Sequence, residues 1–431
     1  MKLKIAYLCS SYPAVSHTFI LREVEALRRL GAAITTFSIH RTDPDQLLAA
    51  ADRDAFESTV AILPPRWSRL LRAHLRLAIG NPSTYLSTLA LAWGLAPAGP
   101  RGRLWQIFYF GESVALWNEC RRRGLRHIHV HLANVAADVA LLSSRIGSAV
   151  EPERPWSWSF TMHGPTEFFD VRHFRLTEKI RYARFVVCIS DYARSQLMAL
   201  SDPDTWGKLH VIHVGLPIEQ FTRLGDEPPP HSDSEILCIG RLVPEKGQAV
   251  LLKAVATLVE RGHAVKLTIA GAGQDKSSLE LQARRLGIAS RVSLPGAVGQ
   301  EQIRGLYEEA SIFCLPSFAE GIPVVLMEAM AMGIAVVGTR ITGIPELIED
   351  GETGLLVAPG SHDQLVESLE RLLVDPELRR RLGENAREKV IGDFNAENSA
   401  AQLHALFADQ LLPSASASLR PRVPEIANEG V

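Results

Sequence analysis

Glu320 and Glu328 stand eight residues apart in Ser317-Phe318-Ala319-Glu320-Gly321-Ile322-Pro323-Val324-Val325-Leu326-Met327-Glu328-Ala329. The first carboxylate lies in a loop of small residues and the second inside the helix that follows. Pro323 fits the first helical position, where its missing N–H costs nothing and its φ is preset. The N–H groups of Val324 and Val325 are then unpaired by the helix and point into the loop, an arrangement that favours phosphate. Two acids around a phosphate site fit a ligand with both hydroxyls and phosphates, such as a sugar nucleotide.

A second group lies in Cys238-Ile239-Gly240-Arg241-Leu242-Val243-Pro244-Glu245-Lys246-Gly247. Gly240 lets backbone approach a ligand closely. Arg241 offers a planar charged fork and Lys246 a point charge, together enough to neutralise much of a diphosphate. The spacing is not that of a P-loop. Gly271-Ala272-Gly273 ends another apolar run, but Lys276 stands where a dinucleotide fingerprint needs its third glycine. His163-Gly164 ends a strand in the first half; taken alone, such a histidine is more often structural. His129 and His131 flank Val130 on one strand face, and no third ligand is spaced to complete a metal site.

The elements that must position these residues alternate. In the first half, strands are expected at 3–9, 33–39, 128–132, 158–162, 185–189 and 209–214, with a helix at 18–30 ended by Gly31. In the second half, strands are expected at 236–239, 266–270, 292–294, 312–315, 335–337 and 355–357. Helices are expected between them at 248–261, 277–286, 300–309, 323–332 and 362–373. This rhythm predicts parallel sheets covered on both faces, with ligands at the carboxyl ends of strands. The Pro-rich stretch at 221–234 reads as a linker, and the Ser/Ala/Pro-rich tail at 413–431 as disordered.

The order of these motifs, continued by Gly343-Ile344-Pro345-Glu346 and Gly351-Glu352-Thr353-Gly354-Leu355-Leu356-Val357, resembles the glycogen-synthase-like family of retaining GT-B glycosyltransferases. The likeness covers nearly all of 236–395. The opening Tyr7-Leu8-Cys9-Ser10-Ser11-Tyr12-Pro13-Ala14-Val15-Ser16-His17-Thr18-Phe19-Ile20 resembles the branch that builds bacterial exopolysaccharides such as colanic acid. The resemblance implies an α/β GT-B fold, two doubly wound Rossmann-like domains facing across a cleft. Residues 1–220 would form the acceptor domain and 235–395 the donor domain, with a helix at 396–412 crossing back to the first.

The resemblance also implies roles. Arg241 and Lys246 would hold the donor diphosphate as it leaves, with Gly240, Gly271, Gly273, Gly321 and the N–H groups of Val324 and Val325 around it. Glu320 would meet the donor sugar and Glu328 the ribose hydroxyls. His163 would reach across the cleft, and Ser11, Ser16, His17 and Thr18 would face the acceptor. The implied reaction moves a hexosyl group from a nucleotide-diphosphate sugar to a glycan or polyprenyl-linked acceptor, with retention by same-face attack and no metal cofactor. Three positions depart from the family: Gly215-Leu216-Pro217 replaces Gly-Val-Asp, Thr342 replaces the first glycine of a pair, and His17 replaces a glutamate. The rival readings are a sugar-nucleotide epimerase on the same fold and a non-catalytic nucleotide-sugar-binding module.

Composition narrows the setting. Hydrophobic content of 46% and charged content of 22% are those of a soluble globular protein. The five cysteines form no C-x-x-C pair, so a reducing, cytoplasmic compartment fits. No apolar run approaches the ~20 residues of a membrane span. Residues 1–215 carry 26 Lys/Arg against 18 Asp/Glu, and 216–431 carry 20 against 30, so the halves have opposite sign. The basic first half contains no recognised nucleic-acid module. Its arginines at 66–77, interleaved with Trp67 and leucines, and at 121–126 predict peripheral contact with an anionic membrane.

Overall fold

The computed structural model describes residues 2–14, 18–44, 47, 50–164, 166–221 and 234–412. The expected linker falls almost wholly on 222–233, and the expected tail on 413–431, both outside the described residues. Two all-parallel sheets organise the chain. The first contains β1 (Lys4–Ser11), β2 (Ala33–His40), β3 (Val60–Ala61), β4 (His127–His131), β5 (Ser157–Met162), β6 (Val186–Cys188) and β7 (Leu209–Val211), in the order β3-β2-β1-β4-β5-β6-β7. The second contains β8 (Glu235–Ile239), β9 (Lys266–Ala270), β10 (Val292–Gly296), β11 (Ile312–Leu315), β12 (Ala335–Thr339) and β13 (Leu355–Val357), in the order β10-β9-β8-β11-β12-β13.

Each order reverses once, between β1 and β4 and between β8 and β11. A crevice opens outside the carboxyl ends of strands at such a reversal. Ser11 and His131 end the first pair; Ile239 and Leu315 end the second. The sequence motifs at Gly240 and Ser317 therefore fall at the switch point of their sheet. Central strands are buried on both faces: β4, β5, β11 and β12 show almost no exposed residue, which is why their sequences do not alternate. Edge strand β10 alternates instead.

Several elements differ from expectation. Strand β3 is only two residues long, too short for any periodicity. Helices Pro82–Gly94 and Pro100–Arg123 join Trp67–Gly80 in a helical insertion between β3 and β4, both with proline in the first turn. Pro323 is not the first helical residue; it is the N-cap, with extended backbone at ψ 117°, and the helix runs Val324–Ala331. The arginines at 121–126 are not a free basic surface. Arg122 and Arg123 pair with Glu119, and Arg121 and Arg126 with Glu151, at 3.0–3.2 Å.

The last helix, Ala396–Leu411, returns to the first sheet. Phe407 is fully buried against Tyr7, His129 and Phe185. The crossing is fixed where the N–H of Leu216 donates to the Phe394 carbonyl (2.7 Å) and that of Ala396 to the Leu216 carbonyl (2.9 Å). A Cβ on Gly215 would lie 2.3 Å from Ala396 Cα, so only glycine lets the two segments meet.

Candidate active site

At the second switch point, two loops are stitched together before any side chain matters. The N–H of Phe318 donates to the Glu245 carbonyl at 2.7 Å. Gly247, at φ +66°, approaches so closely that a Cβ would lie 2.1 Å from the Pro316 carbonyl oxygen. This brings Lys246 to Glu320: Nζ donates to Oε1 at 2.5 Å, and Ser317 Oγ donates to the same oxygen at 2.7 Å. Glu320 is buried. Two donors on one carboxylate oxygen hold the side chain in one orientation.

Gly240 sits under the aliphatic part of Lys246, whose atoms lie 3.7 Å or more from a notional Cβ. Protein packing therefore does not demand glycine there. Gly271 and Gly273 differ: Cβ atoms on them would lie 1.9 Å from the Gly240 oxygen and 2.1 Å from the Leu242 oxygen. Their glycine identity is required to seat the β9 turn against the Arg241 loop. Arg241 is exposed, and its carbonyl accepts from Gln248 Nε2 at 2.9 Å. Thr342, in the glycine position of the family pattern, keeps a glycine-like backbone at φ +45°. Its Oγ1 donates to the Glu320 carbonyl at 2.5 Å, which offsets some of the strain of a β-branched residue there.

Glu328 faces the other domain. It is buried, and Tyr307, itself fully buried, places its hydroxyl 3.0 Å from Oε2. Arg22, on helix Thr18–Arg29 of the first domain, brings Nη1 to 3.6 Å from Oε1. That is an ion pair but too long for a hydrogen bond. Burial raises the Glu328 carboxyl above the usual carboxylate range, and Arg22 and Tyr307 oppose the rise. Arg22 also lies over the Phe221 ring, 5.6 Å from its centroid.

His163, just after β5, meets the Glu320 loop through its backbone: a Cβ on Gly321 would lie 2.4 Å from its carbonyl oxygen. Its ring packs 4.7 Å from Phe19, and Nε2 lies 3.0 Å from His131 Nδ1. His131 Nε2 in turn lies 3.1 Å from Glu23 Oε1, which also accepts from Tyr7 at 2.8 Å. Glu23 supplies the third group that spacing alone did not offer. With His129 and His131 it forms a set whose ligand atoms lie within 4.8 Å of one another. That set is already committed, however. His129 holds Ser159 and Thr161 at 2.8 and 3.0 Å, and His131 holds His163 and Glu23. Burial keeps His127 and His129 neutral, pushing the former down to about 3 and the latter well below its ordinary value. The residues fit a hydrogen-bonded network and offer a metal no free ligand atom on either histidine.

A further cross-domain residue, Glu346, carries no obvious sequence signal beyond the Gly-Ile-Pro-Glu motif. Its two oxygens accept from the N–H groups of Asp191 and Tyr192 at 2.9 and 2.8 Å, capping the helix Asp191–Ala199 of the first domain. Of the residues expected to face the acceptor, Ser11 ends β1 and Thr18 opens its helix; Ser16 and His17 lie outside the described residues.

Known proteins agree with this arrangement. Residues 222–389 match the family described as Glycosyl transferases group 1. A putative colanic acid biosynthesis glycosyltransferase, WcaL of Salmonella typhimurium, is 24% identical over 94% of this chain and 99% of its own. The amylovoran biosynthesis glycosyltransferase AmsK of Erwinia amylovora is 35% identical over 50% of this chain and 54% of its own. The Anabaena HepE structure in complex with UDP superposes with a TM-score of 0.70 at 17% identity, covering 94% of this chain and 100% of that one. The two facing parallel-sheet domains are thus a GT-B fold. The chain is a glycosyltransferase, and its residues 222–389 carry a Glycosyl transferases group 1 domain.

Proposed function

We propose that this glycosyltransferase moves a hexosyl group, with retention, from a nucleotide-diphosphate sugar to a glycan or lipid-linked acceptor. We place the reaction in the cytoplasm, in the assembly of a bacterial exopolysaccharide or other cell-surface polysaccharide. The observation that carries the chemistry is the Lys246–Glu320 pair beside the start of the Val324–Ala331 helix. Cleavage of the anomeric bond puts negative charge on the diphosphate and positive charge on the ring. Lys246, Arg241 and the N–H groups of Val324 and Val325 are aimed where the first develops, and Glu320 where the second does. Preorganised groups of this kind are the largest catalytic lever available to an enzyme. Glu328 takes the ribose hydroxyls, and His163 bounds the sugar from the first domain. The acceptor hydroxyl attacks beside the departing phosphate, which takes its proton. The pathway rests on what colanic acid WcaL and amylovoran AmsK are named for, and the donor class on the UDP and UDP-glucose complexes of HepE.

A screen of UDP-, GDP- and ADP-sugars, followed by NMR of the product anomer, tests the reading. Retained configuration and a requirement for acceptor are expected. Conversion of donor alone into an isomer identifies an epimerase, and tight binding without turnover a binding module. Glu320→Ala should lower kcat far more than donor affinity, by on the order of a hundredfold or more. Glu328→Ala should chiefly weaken nucleotide binding. The opposite pattern means the two roles are exchanged.

A further inference from the structure

Residues 58–111 contain six arginines and neither aspartate nor glutamate. They form most of the helical insertion between β3 and β4, and they expose apolar surface out of proportion to their length. Among the described residues, ten of the seventeen exposed large hydrophobic side chains fall between Trp67 and Phe108. On helix Trp67–Gly80 they are Trp67, Leu71, Leu75 and Ile79, four residues apart and 75%, 61%, 49% and 78% exposed. The opposite side of that helix buries Ala73 and Leu77. Leu86 and Trp93 follow on helix Pro82–Gly94, and Leu104, Trp105, Ile107 and Phe108 on the first half of helix Pro100–Arg123.

These exposed residues belong to helices packed on one another. His74 meets Tyr85 at 3.1 Å, Arg103 lies 5.1 Å from the Trp93 ring centroid, and Arg76 reaches Asn118 at 3.4 Å. Monomeric proteins rarely leave so many large apolar side chains in one place. The mixture itself names the covering phase. Tryptophan and leucine suit the boundary between headgroups and acyl chains, and arginine can keep its charge at the headgroups while its stem lies along apolar surface. Among the described residues, Arg66, Arg69, Arg72, Arg76, Arg101 and Arg103 have no acidic partner, unlike those at 121–126. No described helix is long and apolar enough to cross a membrane. We infer that the outer face of these three helices docks on a bilayer rich in anionic lipid, lying on it rather than through it.

A cavity of about 680 Å³ lies behind this face, on the Ala73 side of helix Trp67–Gly80, where Arg66 and Arg69 line it together with Tyr12 and Thr42 beside the loop after β1. The inference stands on the surface and does not require turnover.

The test is co-sedimentation of the full chain with phosphatidylglycerol vesicles and with phosphatidylcholine vesicles, at low and high salt, without donor. Binding should favour phosphatidylglycerol by at least about tenfold and weaken with salt. Trp67→Glu with Leu71→Glu should abolish binding to both. Arg72→Glu with Arg76→Glu should remove the lipid preference. Unchanged circular dichroism shows that these exposed substitutions leave the fold intact. Failure to bind either vesicle overturns the inference, as does equal binding to both at low salt. A dimer in sedimentation equilibrium that Trp67→Glu with Leu71→Glu dissolves, without vesicle binding, would assign the face to a second copy instead.

Discussion

Removing Arg22 should make nucleotide binding depend on pH. Arg22 belongs to the first domain, yet it is the charged partner of Glu328, the acid assigned to the ribose. At 3.6 Å their bare attraction is about 4–5 kcal/mol at an effective dielectric near 20, and burial of the carboxylate opposes it. Arg22→Ala leaves that burial opposed only by Tyr307, so Glu328 rises further and a larger share is protonated at a given pH. A protonated carboxyl accepts less well. Losing one charged hydrogen bond to the ribose costs about 1.5–3 kcal/mol, roughly 10- to 150-fold in Kd. The sign follows from the acid: the deficit is greatest at low pH and shrinks as rising pH restores the carboxylate. Isothermal titration with nucleoside diphosphate across about pH 6–9 measures it, with Glu328→Gln as a control whose deficit should not vary. A pH-independent deficit in Arg22→Ala would refute the argument. Tighter binding would show that Arg22 competes with the nucleotide for Glu328.

Two further outcomes follow from the same geometry. Glu346→Ala removes both acceptors from the N-terminus of helix Asp191–Ala199 and should loosen the two domains. Its cost should be about 1–2 kcal/mol, read as a larger radius of gyration by X-ray scattering and a raised donor KM, with partial rescue by Glu346→Gln. Acid should destabilise the first domain. Burial first, and Arg184 second, depress His127 to about 3, so the native state refuses a proton that the unfolded chain accepts below about pH 6.5. This contribution is silent above that pH and grows as pH falls, reaching about 2 kcal/mol near pH 5 for His127 alone. His129 acts in the same direction. Urea unfolding should flatten with pH in His127→Asn; an unchanged slope would place the titration elsewhere.

The second domain was legible because its signals are local. Glycine, charge and proline lie within a few residues of each strand end, and β9, β11 and β13 fall where the apolar runs end. The glycines were legible as positions but not as causes. Gly271 and Gly273 read as ligand approaches, yet backbone oxygens of the neighbouring loop already require them. Pro323 was placed one residue too far into its helix, since proline suits both the N-cap and the first turn. The helical insertion was missed in part because its outward face is apolar, which blurs the period that marks an amphipathic helix. Arg22, Glu23 and Glu346 could not be found by spacing, because each has a defining partner more than a hundred residues away.

Those long-range partners share a direction. Glu328 takes its cation from Arg22, Gly321 packs on the His163 backbone, and Glu346 caps a first-domain helix. Each joins a residue of the second domain to the carboxyl-end side of the first sheet. The return of Phe407 to the first core holds the chain's last helix to the same domain. Glu320 alone is held entirely from within its own domain, by Lys246 and Ser317. The group assigned to the reacting sugar is thus preset, while the group assigned to the nucleotide is completed by the opposite domain. Relative motion of the domains should therefore alter the surroundings of Glu328 before it disturbs the Lys246–Glu320 pair.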